Sequence, residues 1–262
     1  MLIAVTRPVS PSLADCELTH LAREPIDVAR AADQHAAYEA RLRSHGAAIV
    51  RVAASPEFPD AVFIEDTAIV LDEVAVLTRP GAASRRGELA AVAPVLEKYR
   101  PVVALESPAT LDGGDVLRIG RSLHVGRSSR TNEQGIDELQ RLAGPFGYRV
   151  VPIDFTGCLH LKSAVTELAD GLLLLNPTWV SATAFPGCDA VAIDPGEPHA
   201  ANALLIGDSV VYPSQYPRTL ERLLKRALRV DPIDSSELAK AEGGVTCCSL
   251  IFSTTRRDDG RP

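Results

Sequence analysis

One order of elements, strand, strand, helix, strand, recurs along this chain, and few folds can accommodate it. Starting at Phe63, the alternating stretch FIEDTAIVL is followed by a turn at Asp72-Glu73, a second strand VAVLTRP, a helical GELAAVAPVLEKY and a third strand PVVALE. The order returns from Gly114 as GDVLRIG, SLHVGR, a helix from about Thr131 to Phe146 and YRVVPID. HLKSAVTEL and GLLLLNP form a further strand pair, joined by a shorter linker to DAVAID. From Ala201 come NALLIGD, SVVYP, the helix PRTLERLLKRAL and RVDPID. A fifth copy is split between the ends: TCCSLIFS pairs with LIAVTRP, followed by a helix from about Val28 to His45 and the strand AAIVRVA. First strands start roughly 43 to 50 residues apart, a period that suggests a radial or stacked repeat. A split copy closes the ring, so the chain reads as five closing α/β units rather than an ordinary mixed sheet with similar local patterns.

In such a ring the starts of the first strands converge on one axis, and the chemically distinctive segments sit there. With 262 residues, 46% of them apolar, the chain has material for a substantial core. No Ser/Gly/Pro-rich linker divides it, so residues 1–252 read as a single domain and the polar end, 253–262, as a flexible tail. The net charge of -7 and the scattered arginines argue against a nucleic-acid backbone as partner. No apolar run approaches a membrane span and no signal-peptide pattern opens the chain, so a cytoplasmic protein without membrane contact is expected. Five cysteines fit a reducing compartment better than a disulfide framework. No CxxC, HxxxH or HExxH spacing marks a metal site, and neither metal nor cofactor is expected.

Three segments supply an acid, a histidine and a thiol: LDGGD with Asp112, LHLKS with His160 and GGVTCCS with Cys247. A thiolate attacks electrophilic carbon, a histidine moves protons near neutral pH, and a carboxylate fixes the histidine's tautomer. Taken singly each has a plainer reading. Cys247 and Cys248 can alternate across a strand, His160 can be a satisfied core residue, and Asp112 before two glycines can be a turn former. The stretch FPDAVFIED gathers Asp60, Glu65 and Asp66 around Phe63, either as solvent-facing charge or as a pocket for a planar cation. Arg85 and Arg130 each lie near a helix start, as solvating ends or as clamps for a carboxylate. Acids at one end and arginines at the other suit an α-amino acid with a cationic side chain.

In order, FPDAVFIED, TRPGAASRRGE, ATLDGGDVL, SRTNEQG, LHLKS, AANALL, YPRT and GGVTCCS resemble the dimethylarginine dimethylaminohydrolase family of the guanidine-modifying, or pentein, superfamily, over about Val5 to Phe252. The resemblance implies a five-bladed α/β propeller of ββαβ repeats with pseudo-fivefold symmetry. It implies hydrolysis of N-methylated L-arginine to L-citrulline and a methylamine, with Cys247 as nucleophile, His160 as general acid/base and Asp112 as its partner. By the same carry-over Asp66 holds the guanidinium, Asp60 and Glu65 assist, Phe63 lines the pocket, and Arg85 and Arg130 take the substrate carboxylate. Ser163 and Ala241 complete the substrate contacts, and Leu18 belongs to a mobile lid of roughly Asp15 to Glu24. Arginine deiminases typically carry an Asp two residues after the histidine, where this chain has Lys162, a departure that favours a methylated guanidinium over arginine. A homodimer built edge to edge from blades is open to such a fold.

Overall fold

The computed structural model describes residues 1–226 and 228–254. Strand β1 (Leu2–Thr6) is joined to its parallel partner β2 (Ala47–Arg51) by α1 (Val28–Ser44). The Asp27 side chain accepts the Arg30 N–H at 3.0 Å to start this helix, and Arg41 and Arg43 stand at its carbonyl end. Gly46, at φ 85°, turns the chain into β2. The next unit comprises β3 (Ala68–Val70), β4 (Ala75–Leu77), α2 (Leu89–Leu96) and β5 (Val102–Ala104). Then come β6 (Val116–Ile119), β7 (Ser122–Gly126), α3 (Glu133–Ala143) and β8 (Arg149–Ile153). The fourth unit has a helical turn α4 (Leu161–Ala164), β9 (Val165–Ala169), β10 (Leu172–Leu175) and β11 (Asp189–Ala192), with the short 3-10 turn Ala182–Ala184 where the others carry a helix. The last has β12 (Leu204–Ile206), β13 (Ser209–Pro213), α5 (Pro217–Leu224) and β14 (Arg229–Ile233). After α6 (Ser236–Ala239), the final strand β15 (Leu250–Ser253) pairs antiparallel with β1.

Among the described residues every sheet therefore has three strands, the first antiparallel to the second and the second parallel to the third. The ring closes by the split copy as expected. Five apolar clusters fill the five seams between neighbouring blades. Ile3 and Phe252 meet Ala68 and Val92; Ile69 and Val76 meet Leu123 and Ile136. Ile153 meets Leu173; Leu174 meets Val210 and Leu223; Val211 and Ile233 meet Ala4 and Tyr38. Each blade buries its two faces against two neighbours, so no sheet stands as an independent core. Arg100 clasps the closure, donating to the carbonyls of Asp72 and Ser253 and packing its guanidinium 4.9 Å from the Phe252 ring centroid.

Four boundaries differ from the sequence reading. FIED does not begin a strand: Ile64–Thr67 is a 3-10 turn and β3 starts at Ala68. Gly113–Asp115 and Leu161–Ala164 are likewise turns ahead of β6 and β9, because the Gly114 and Leu161 N–H groups donate to the Asp66 and Asp115 carboxylates instead of joining a ladder. At the other end Ser253 belongs to β15 and the Thr254 N–H donates to the Met1 carbonyl at 2.8 Å; the rest of the expected tail, 255–262, lies outside the described residues.

Leu123 is fully buried on the central strand of its blade, away from the axis, and packs in the seam with Ile69 and Val76. Leu123→Ala should lower the free energy of unfolding in urea by about 2–5 kcal/mol through lost burial and a residual cavity, with the full change visible in the denaturation midpoint.

Candidate active site

The turns that precede the first strands point their side chains toward one another. Asp112, fully buried, accepts from His160 Nε2 at 3.0 Å through Oδ2 and from the Gly81 N–H at 2.9 Å through Oδ1. One carboxylate thus fixes both the imidazole and the loop leading to Arg85. The other ring nitrogen, Nδ1, lies 3.8 Å from Asp66 Oδ1. Asp66 in turn accepts from the Gly114 N–H at 2.9 Å and from Arg85 Nη1 at 2.5 Å. Space at this junction explains the glycine pair. A Cβ on Gly114 would sit 2.6 Å from His160 Nδ1 and 2.8 Å from Asp66 Oδ1, and one on Gly113 would sit 2.1 Å from the Glu65 carbonyl.

Burial opposes charge on His160, but Asp66, the hydrogen bond to Asp112, and Asp115 outweigh it and raise its pKa to about 9. The imidazole therefore carries a proton at neutral pH. Cys247 is pushed the other way, up to about 12, by burial first and then by the Glu65 and Asp66 charges, partly offset by the Gly244 N–H that donates to its sulfur at 3.3 Å. The resting pair is thiol and imidazolium, in a site with excess negative charge.

Cys247, His160, Asp66, Asp60, Phe63, Arg85, Arg130, Ala241 and Leu159 line one cleft, closed by Glu17, Glu242 and Gly243. Of the expected contacts, Arg85 is the most committed. Its Nε and Nη2 grip Glu88 at 2.9 and 3.0 Å, Nη2 also reaches the Phe63 carbonyl at 2.9 Å, and Nη1 holds Asp66. Arg130 is freer: Nη2 touches the Thr19 hydroxyl at 3.4 Å and Nη1 stands 3.8 Å from Asp112. Asp60 accepts the Glu17 N–H at 3.1 Å, tying cleft to lid, and its carboxyl is raised by burial. Leu18 packs on the apolar cluster around Ala4 and Tyr38 instead of lining the cleft.

Glu65 lies behind the cleft wall, with one oxygen on Lys162 Nζ and the other accepting from Thr246 at 2.8 Å. Lys162 is thereby turned to Glu65. Ser163 faces the neighbouring, larger cavity. Asp66, Asp112 and His160 bring potential ligand atoms within 4.8 Å of one another, yet each acid already has a cationic partner, Arg85 or His160. That pairing suits proton handling more than metal binding.

Three supporting residues went unremarked in the sequence. Asn202, inside AANALL, accepts the Thr246 N–H at 3.1 Å and donates to its hydroxyl at 3.0 Å, and its amide lies so close to Gly244 that no side chain fits there. It braces the turn that presents Cys247. Asp115 accepts from Ser128, Thr131 and the Leu161 N–H, anchoring the histidine segment; burial raises its pKa to about 6. Glu88 fixes Arg85. The only signal for any of them was membership in a quoted motif: the partners of Asn202 and Asp115 are distant in sequence, and Glu88, three residues from Arg85, reads locally as one more exposed charge. Cys248, beside the nucleophile candidate, is buried with its thiol toward the Gly244 carbonyl at 3.6 Å.

A family model for eukaryotic N,N dimethylarginine dimethylhydrolase matches residues 19–170. The N(G),N(G)-dimethylarginine dimethylaminohydrolase of Streptomyces coelicolor is 38% identical over 249 residues, covering 94% of this chain and 95% of that protein. This chain belongs to the dimethylarginine dimethylaminohydrolase family. The Pseudomonas aeruginosa relative of the same description is 33% identical over 251 residues, covering 95% of this chain and 98% of that one. A solved structure of the P. aeruginosa family member, a cysteine-to-serine mutant complexed with citrulline, superposes with a TM-score of 0.91 at 33% identity, over 95% of this chain and 98% of that one. The five-bladed α/β propeller is thus the fold of the family as well as of this chain.

With the thiol held high by burial and two acids, alkylation of Cys247 by iodoacetamide in the free protein should keep accelerating from about pH 7 to about pH 10 without a plateau. Mapping the rate on the Cys247 peptide checks this; a plateau near neutrality would mean a resting thiolate.

Proposed function

We propose that the chain hydrolyses N-methylated L-arginines to L-citrulline and the corresponding methylamine through a covalent intermediate on Cys247. The observation that carries this reading is the meeting of Cys247, His160, Asp66 and Arg130 in one cleft, with His160 fixed on Asp112. A guanidinium placed against Asp66 and Cys247 supplies the positive charge that the cleft lacks, and its arrival lowers the thiol's pKa so that the proton leaves to solvent water, His160 being already protonated. The thiolate adds to the guanidinium carbon. His160, protonated at rest, gives its proton to the departing methylamine and leaves an S-linked thiouronium. The now neutral imidazole takes one proton from water, whose oxygen attacks the same carbon; collapse to citrulline expels the sulfur, and the remaining hydroxyl proton passes to it, restoring the resting thiol and imidazolium. Asp112 holds the ring in register through both steps and stabilises its cationic form.

Arg130 is the natural anchor for the substrate carboxylate, since Arg85 spends its fork on Glu88 and Asp66 and contributes at most one remaining Nη1 hydrogen. Asp66 and Asp60 are the acids nearest the cation, with Phe63 and Ala241 closing the walls; Glu65 and Ser163 act from behind. Lys162, turned to Glu65, offers no acceptor to one guanidinium nitrogen, and this favours a methylated nitrogen there. All five cysteines are free, which agrees with a cytoplasmic, reducing setting.

Citrulline formation should be seen with asymmetric dimethylarginine and be absent or far slower with L-arginine. Cys247→Ser should lose at least about a thousandfold in turnover while unfolding at an unchanged temperature. Turnover of arginine alone would retain the chemistry and reverse the specificity; full activity in Cys247→Ser would remove the mechanism.

A further inference from the structure

Glu242 is the only non-glycine residue among those described with a positive φ, at 58°. A side chain in this conformation is disfavoured, and it persists where surrounding contacts over-determine it. Here the backbone turn is closed locally after α6, where the Glu242 N–H donates to the Ala239 carbonyl and the Gly243 N–H to the Leu238 carbonyl, each at 3.1 Å, and the side chain so presented reaches the lid. The Glu242 carboxylate accepts three consecutive backbone N–H groups, those of Thr19, His20 and Leu21, at distances between 2.5 and 3.1 Å. Three amides converging on one carboxylate form a charge-assisted cradle on a loop that is otherwise largely exposed. The residue is followed directly by Gly243 and Gly244, which lead to Cys247, and Glu242 itself walls the cleft.

The loop is held from the opposite side by different groups. The Glu17 N–H donates to Asp60, and the Glu17 carboxylate accepts from Ser84. Arg130 meets the Thr19 hydroxyl. The lid thus spans the cleft from the Asp60 wall to the Glu242 wall. Beyond Glu242, His20 and Leu21 form part of a second, larger cavity with Tyr216 and His199, and Leu159, Glu242 and Gly243 are common to both. Leu159, Glu242 and Gly243 thus form the partition between the two spaces.

We propose that Glu242 is the latch of the substrate lid: its carboxylate pins Thr19–Leu21 and so sets how long a bound amino acid is retained, without taking part in bond making. This deepens the methylarginine hydrolase reading and rests on it for the substrate used. Loss of the latch raises KM and leaves the chemical step intact, because Cys247, His160 and Asp112 are held by other residues.

Glu242→Gly is the informative variant, because glycine adopts the positive φ without strain and the backbone turn survives. Two readouts decide. The first is hydrogen exchange at the Glu17 amide, which the lid carries but Glu242 does not touch; it should exchange about tenfold faster or more in Glu242→Gly. The second is the split between kinetic constants for asymmetric dimethylarginine: KM should rise about tenfold or more, with kcat retained or increased. Glu242→Gln, which keeps the side chain's shape with one acceptor and no charge, should move both in the same direction by less, and it serves if the glycine variant does not fold. Unchanged Glu17 exchange together with unchanged KM in a folded variant would overturn the latch. If the parent protein turned over no methylarginine, the function proposal would fall and the exchange comparison would still judge the latch.

Discussion

The buried Asp66 carboxylate is the point on which the rest of the site depends. It sits on the turn before one blade, accepts a hydrogen bond from the turn before the next, holds the guanidinium of Arg85 and faces the imidazole of the blade beyond. Charges taken from water are costly unless paired. The pairing here is dense, running from Glu88 through Arg85 and Asp66 to His160 and Asp112. Yet the buried acids Asp60, Glu65, Asp66, Glu88, Asp112 and Asp115 outnumber the cations Arg85, Arg130, His160 and Lys162 that answer them. Burial first and then this imbalance raise Cys247, the imbalance raises His160 against burial, and a place is left for one more positive charge. A guanidinium fits that deficit, and under the proposed mechanism its arrival activates the thiol.

The propeller makes this concentration of charge feasible. The apolar clusters are distributed over five seams, so the axis is left for polar turns instead of core. Each turn then contributes one component from a different part of the chain: the Glu65–Asp66 pair, the glycine pair, His160, Asn202 and Cys247. Close approach of these turns forbids side chains at Gly113, Gly114 and Gly244, and the glycines of the motifs are explained by contact distance.

The ring was legible in the sequence because its signal is repetition: strand pair, helix and strand recur with alternating apolar positions, and one copy is divided between the termini. Cys247, His160 and Asp112 were singled out by residue type together with the family resemblance, and the structure sets His160 on Asp112 and in one cleft with Cys247. What the sequence did not disclose was pairing across the axis. Nothing local to Glu65 says that Lys162 and Thr246 occupy it, or that Arg85 is engaged by Glu88 and Asp66; those bonds join segments up to 181 residues apart. The period-two pattern also drew FIED into a strand, whereas Ile64–Thr67 folds as a turn because its carboxylates bond across the axis. Nor did the sequence disclose the partners of Glu242: its left-handed backbone is the local turn that ends α6, but the three amides its carboxylate accepts lie more than two hundred residues away.

The central claim is that carbon becomes bonded to Cys247 during turnover. Rapid acid quench after mixing the protein with asymmetric dimethylarginine, followed by peptide mass mapping, tests it most directly. The account predicts a transient adduct of the substrate less dimethylamine on the peptide bearing Cys247, with Cys248 unmodified and with no adduct in Cys247→Ser. Citrulline production with no such adduct at any quench time, or an adduct on another residue, would contradict it.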